Sequence, residues 1–414
     1  MPRAALRSGL QRSLALLGAT TLAGCSAAGN LPLELTVALG SDPDQAISAE
    51  LREGFHNRIQ PMQASFQRLH PDTHFQLNLY PESAIAATLA QRNATGLAPD
   101  LLYVNSDTAL QLLRAGLVDP FPLSDQQRQQ FNPEDLRRLS TADGRLAGLP
   151  VLVYPQFSCF NRRQMATPPS TVQQLLQASA AGQSIGLTAS MDWLLWSVGS
   201  LGALPAMVRL SDGLPATAAD RQALGAWLHW LQEAGIQERV TFYPDQQTAG
   251  TELVAGRVAW IPCRSSVVNG LRRQMGSSLA VAPLPDGIGH QASPANRMRV
   301  VALGRNSSAR ARQQALAFAR FTVNPLNQRS LTLGSQAGLP ANRFVSVPVQ
   351  SSQALATLVR AADQGRQSNP LVGTLHTNDR RLPALQTLIT ELVFGEIRAT
   401  EATPQLIRIL RERP

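Results

Sequence analysis

The chain has 414 residues, 44% hydrophobic and 16% charged, a balance that builds packed cores and excludes a disordered or fibrous protein. All 37 basic residues are arginine, against 28 acidic ones, for a net charge of +9; without lysine there is no P-loop phosphate lysine, no pyridoxal Schiff base and no serine–lysine dyad. The arginines are scattered, with doublets such as Arg137-Arg138 and Arg272-Arg273 but no long run, which reads as solvated surface rather than a nucleic-acid stripe.

The chain opens on Arg3, Arg7 and Arg12, then an apolar and small-residue run over 13–24 that has the length of a signal-peptide core and is too short to span a bilayer stably. It closes on Leu22-Ala23-Gly24-Cys25. Small residues before a cysteine suit lipoprotein processing, and the thiol is the nearby nucleophile that carries a thioether-linked diacylglycerol. The expectation is a signal peptide over 1–24, lipidation at Cys25, a tether over 25–32, and a mature protein outside the cytoplasm. The alternative is an ordinary secretory signal with an incidental cysteine. No other stretch approaches eighteen uninterrupted apolar residues.

From there strand and helix alternate. A β-prone run over 33–39 ends in Gly40-Ser41-Asp42-Pro43; a helix is expected over 48–69, stopped by His70-Pro71-Asp72. Residues 74–80 alternate as a strand with Phe75, Leu77 and Leu79 on one face, and 83–92 read as helix. A buried strand over 100–104 and a helix over 108–115, closed by Gly116, complete a β-α-β-α-β series, the grammar of a sheet with helices on its faces. Later come strands over 186–188, 256–261, 279–282 and 300–303. Helices are expected over 191–201, 219–234, 309–321, 352–362 and 383–392. The fold class is α/β, in two lobes.

Catalytic and metal motifs are missing: there is no Gly-x-Ser-x-Gly elbow and no His-Glu-x-x-His helix, and Pro71 separates His70 from His74. No metal, cofactor or enzymatic activity is expected. Cys159 and Cys263 remain after lipidation; two buried free thiols is the plainer expectation, and a disulfide stays open because sequence does not give the distance between them.

Four ordered segments carry a resemblance. The first is Gly96-Leu97-Ala98-Pro99-Asp100-Leu101-Leu102-Tyr103-Val104 with Ala115-Gly116-Leu117. The second runs from Asp143-Gly144-Arg145-Leu146-Ala147-Gly148-Leu149-Pro150 through Cys159-Phe160-Asn161-Arg162 to Pro168-Pro169-Ser170-Thr171. Leu253-Val254-Ala255-Gly256-Arg257-Val258-Ala259 is the third, and Val281-Ala282-Pro283-Leu284-Pro285 with Gly338-Leu339-Pro340 the fourth. In this order and spacing the chain resembles the extracellular solute-binding proteins of ABC importers, the family that includes maltose- and other sugar-binding proteins. The resemblance implies two lobes, each a mainly parallel sheet flanked by helices, with a ligand cleft between them that closes by a hinge. One lobe would take 33–149 plus 300–339 and the other 150–299 plus 340–414. The implied function is capture of a carbohydrate-type solute (sugar, oligosaccharide or glycosylated polyol) by a monomer that hands it to an ABC permease.

Candidate cleft residues follow from strand ends. Gly40, Ser41 and Asp42 end the first strand, and Glu82 follows the second; a plain turn and a helix-start charge are their alternative roles. Asp107 follows the third strand, as a hydroxyl acceptor or a helix N-cap. One of Tyr154 and Phe157, on opposite faces of the crossing strand, should look into the cleft. Asp192 and Trp193 offer a carboxylate and an aromatic face; Trp227 and Trp230 read as core. Where sugar-binding members often carry glycine-proline-tryptophan, this chain has Arg264, Ser265 and Ser266. That departure opens the alternative of an anionic ligand such as a sugar or glycerol phosphate, to which Asn296, Arg297 and Arg299 would add. An envelope carbohydrate hydrolase and a non-transporting sensor are the readings from other classes.

Overall fold

The computed structural model describes residues 32–41, 47–335, 337–375 and 379–412; Cys25 and Asp42 lie outside them. The strands are β1 (Leu33–Ser41), β2 (Thr73–Pro81), β3 (Leu101–Asn105), β4 (Val118–Asp119), β5 (Leu149–Tyr154), β6 (Gln156–Asn161), β7 (Ile185–Thr188), β8 (Val240–Tyr243), β9 (Trp260–Arg264), β10 (Leu279–Ala282), β11 (Arg297–Gly304) and β12 (Leu339–Pro340). Among the described residues they form two sheets. One runs β12-β5-β11-β3-β1-β2 with β4 beside β11, the other β10-β6-β9-β7-β8.

Several helices start where side chains satisfy free backbone N–H groups. Ser48 accepts from Leu51 N at the head of helix Ala49–Leu69, and Thr217 and Asp220 form a capping box on helix Ala218–Gly235. No helix among the described residues is long and apolar enough to cross a membrane.

Several expectations need correction. The sheets are mixed, not mainly parallel: β1 is parallel to β2 and β3, and β7 to β8 and β9, but β5, β6, β10, β11 and β12 all pair antiparallel. The reason is the chain path. Only Pro155 separates β5 in the first sheet from β6 in the second, and 283–296 lead back to β11, so the passing strands enter each sheet from its opposite end. The run 256–261 is not a strand over its length; Gly256, at φ +72, closes helix Gln246–Val254, and pairing begins at Trp260.

Three apolar cores hold the molecule. Under the first sheet Phe66 packs edge-on against Phe318 and Phe321 beside Leu35, Leu101 and Val300. In the second, Trp196 meets Trp230 and Trp260 edge-on at 5.9 and 6.2 Å, and helices Arg381–Val393 and Ala399–Arg411 pack onto it. The third surrounds a Cys159–Cys263 disulfide, with Cα atoms 5.7 Å apart, which replaces the expected free thiols by a bond between neighbouring strands β6 and β9. Residues 150–154 and 297–299 belong to the first sheet, although the chain division drawn from sequence puts them with the second.

Candidate functional site

The polar groups of interest gather where parallel strands end. Gly40 and Ser41 close β1, Glu82 follows β2, Asn105 ends β3, Asp192 follows β7 and Arg264 ends β9, while β11 starts among them with Arg297 and Arg299. Open sheets bind ligands beyond the carboxyl ends of their strands, because backbone dipoles and loops converge there.

Four arginines organise three carboxylates. Arg299 donates to Glu82 Oε2 at 3.1 Å, to Asn105 Oδ1 at 3.0 Å and to the carbonyls of Tyr103 and Gly40, with its guanidinium 4.8 Å from the Tyr103 ring centroid. Glu82 also accepts from Asn105 N at 2.6 Å. This pair is buried on both sides, so the Glu82 carboxylate serves the protein and ties three strand ends together. Gly40 is required beside it: a Cβ there would sit 2.0 Å from Glu82 Oε2.

Asp107 lies in the first turn of helix Ser106–Arg114, whose N-cap is Asn105; the N-cap alternative for Asp107 therefore falls. Its Oδ1 accepts from Arg138 Nη2 at 3.1 Å, and Arg138 Nη1 donates to Asn296 O at 2.8 Å. Asp192 Oδ2 accepts from Arg264 Nη2 at 2.9 Å and from Arg297 Nη2 at 3.5 Å. Burial pushes the Asp192 pKa up, but the charges of Arg264 and Arg297, the hydrogen bond from Arg264 and the charge of Arg138 outweigh it and hold the carboxyl below the usual carboxylate range.

Exposure sorts these groups. The side chains of Arg138, Arg264 and Arg299 are 6, 1 and 3% exposed, and that of Arg297 15%, whereas Asp107 is 26% and Asp192 48% exposed. Asp107 and Asp192 are more exposed than the arginines that bind them, whereas Glu82 is buried with Arg299. Such an arrangement offers charged acceptors for hydroxyl donors and buries most of the surface that would attract an anion.

The other candidates divide clearly. Tyr154 is half-buried and lines a cavity of about 1040 Å³ that also touches Ser266, Tyr103 and Arg299. Phe157 is fully buried in the disulfide core and leaves the candidate set, because the break at Pro155 carries it into the second sheet. Ser265 is fully buried; Gly40 and Ser41 are buried beneath the Glu82 network. Trp193 is 4% exposed, covered by the Arg264 guanidinium 4.5 Å from its ring centroid. The cavity runs under helix Ala49–Leu69 between largely apolar walls that include neither Asp107 nor Asp192. The cavity lining and the Asp107 and Asp192 acceptors are thus separate sets of residues. Arg138 was not among the sequence candidates; nothing local links it to an aspartate 31 residues earlier. Among the described residues no group of three or more His, Cys, Asp or Glu side chains is placed to hold a metal ion.

Comparison with known proteins agrees with this fold. The family model described as bacterial extracellular solute-binding protein matches residues 62–357. By sequence the chain matches none of the curated proteins. Among solved structures it is similar to the GacH receptor of Streptomyces glaucescens, determined unliganded and with acarbose and an acarbose homolog (TM-score 0.73, 15% identity, 92% of this chain and 100% of that one). A cyclo/maltodextrin-binding protein complexed with maltotetraose gives 0.68 at 15% identity over 91% and 96% of the two chains. The MalE domain of Bdellovibrio bacteriovorus bound to maltotriose gives 0.66 at 16% over 91% and 98%. At these identities the likeness is one of fold: two lobes of mixed α/β structure.

Proposed function

The chain belongs to the bacterial extracellular solute-binding proteins, which take small molecules outside the cytoplasm, and from that premise we propose that it captures a neutral, polyhydroxylated solute of carbohydrate type and passes it to an ABC permease. One observation carries the choice of ligand: Asp192, exposed, and Asp107, half-buried, are the more accessible acid side chains of the cluster, and each is bound by an arginine, Arg264 and Arg138, that is itself buried. A carboxylate accepts hydroxyl protons strongly and repels phosphate. The same carbohydrate class is bound by the structural neighbours, acarbose by one and malto-oligosaccharides by two others.

The two sheets define two units joined at Pro155 and through the 283–296 passage, and ligand touching both favours the closed arrangement. The reading assigns no bond-breaking step. Glycoside hydrolysis requires one carboxyl kept protonated, and Asp192 is driven the opposite way. The chain acts as a monomer tethered by lipid at Cys25; replacing Cys25 with alanine should release it from membranes and abolish incorporation of labelled fatty acid.

Small-angle X-ray scattering of the soluble form tests the reading. The radius of gyration should fall on adding a neutral sugar or polyol and stay constant with the corresponding phosphate. Contraction with the phosphate alone would transfer the assignment to an anionic solute.

A further inference from the structure

Resting on the carbohydrate reading, we infer that the solute is amphipathic: a glycoside whose sugar meets Asp107 and Asp192 and whose alkyl or aryl group enters the cavity of about 1040 Å³ under helix Ala49–Leu69. The walls carry the argument. Leu51, Phe55, Ile59 and Met62 recur at helical spacing, line the space and are only half-buried. Aliphatic side chains of β1, β3 and β5 and of helices Gln246–Val254 and Val268–Met275 continue the surface.

Among the described residues no Asp, Glu or His lines this cavity. Of its two arginines, Arg299 is engaged by Glu82 and Asn105, and Gln246 is held between Thr188 and the Pro262 carbonyl. A polyhydroxylated group placed here would exchange water for a wall with few acceptors, whereas an apolar group gives up no hydrogen bonds, and apolar cavities take apolar ligands. Cavity and acceptors adjoin at one edge. Tyr154, which lines the cavity, is paired across β5 and β11 with Arg297, and Arg297 donates to Asp192. Ser266 lines it two positions after Arg264, which donates to the same carboxylate. The volume stands at the upper end of the roughly 300–1,000 Å³ of small-molecule pockets, so a chain or ring system fits beside the sugar.

Calorimetric titration with methyl, butyl and hexyl β-D-glucoside, below micelle-forming concentrations, tests this. A buried methylene is worth about fourfold in affinity, so affinity should rise about tenfold or more from methyl to hexyl. Gly250 lines the cavity from helix Gln246–Val254, and a Cβ there would meet only Leu271 Cδ2, at 3.9 Å. Gly250→Phe therefore fills the space; it should cut the gain to about threefold or less and leave methyl glucoside affinity within about twofold. Gly54→Phe, on helix Ala49–Leu69 where a Cβ meets nothing within 4 Å, should do the same. Circular dichroism and the unfolding midpoint check that both variants are folded. Binding of methyl glucoside with no gain along the series would overturn the inference and leave the carbohydrate reading standing, as would a gain undiminished in both variants. A gain that persists while Asp192→Asn changes no affinity would remove the carbohydrate reading and the glycoside assignment with it. Failure of hexyl glucoside to bind at all would overturn the inference as well, because a buried chain of that length gives measurable affinity whatever sugar it carries.

Discussion

In the proposed reading Asp192 is the residue on which recognition turns, and two substitutions separate its roles. Asp192→Asn keeps an oxygen for Arg264 and Arg297 but replaces a charged acceptor with a neutral one. A hydrogen bond to a charged group contributes about 1.5–3 kcal/mol and a neutral one about 0.5–1.5, so each ligand hydroxyl at this carboxylate loses roughly 1–2 kcal/mol, or roughly 5- to 30-fold in affinity. Asp192→Ala also takes one partner from the Arg264 guanidinium, which is 1% exposed. Stripping one partner from a fully buried pair costs about 3–5 kcal/mol of stability; because the Asp192 side chain is 48% exposed and water can enter, the lower end or less is expected. The ordering is therefore clear: Asn weakens binding with little loss of stability, and Ala loses both. Calorimetry for affinity and urea unfolding for stability read the two quantities separately. Affinity within twofold of wild type in Asp192→Asn would refute the acceptor role.

The pKa of Asp192 is lowered in the folded protein, so its contribution is present above the ordinary value of 3.8 and disappears as pH falls through the folded value; binding should stay level from neutral pH down to the ordinary value of 3.8 and fall only below it, and Asp192→Asn should lack that acid limb. Asp135 behaves oppositely: burial raises its pKa against the opposing charges of Arg138 and Arg366, so the folded state disfavours its ionised form. Asp135→Asn should stabilise the protein near neutral pH and make no difference near pH 3, as read by thermal midpoints at both. Gly40→Ala drives a methyl into Glu82 and breaks the Glu82–Arg299 pair, for a loss of about 3 kcal/mol or more in urea unfolding. Replacing Cys159 and Cys263 by serine opens a loop with a sequence separation of 104, which loop-closure entropy places at about 4–5 kcal/mol; an unchanged unfolding midpoint after reduction would refute this. Phe157→Ala should lose about 3–5 kcal/mol of stability while ligand affinity in the folded fraction holds.

Much of the first lobe was legible because its signals are local. Alternation over 74–80, the Ser48 start and the His70-Pro71 stop of the long helix, and Gly116 after the next all depend on near neighbours, and β2 and helix Ala49–Leu69 stand within a residue or so of expectation. Short pieces such as β8 and helix Val268–Met275 carry too few residues for a period to emerge and were not foreseen. The site was only half readable. Strand ends marked Asp107, Asp192 and Arg264, but whether a side chain faces ligand or protein depends on partners far along the chain. Glu82 meets an arginine 217 residues later, and Trp193 is hidden by one 71 positions on, so both moved from prospective ligand contacts to parts of the frame. Tyr154 and Phe157 read as opposite faces of one crossing strand, but the break at Pro155 puts them in different strands and sheets, and Tyr154 lines the cavity while Phe157 enters the disulfide core.

The most direct test of the account is thermal unfolding of the soluble form against a panel of neutral sugars, polyols and their phosphates. A ligand that binds only the folded state raises the midpoint with concentration. The account predicts a concentration-dependent rise with at least one neutral sugar or polyol and none with its phosphate. A rise confined to phosphorylated compounds would contradict it.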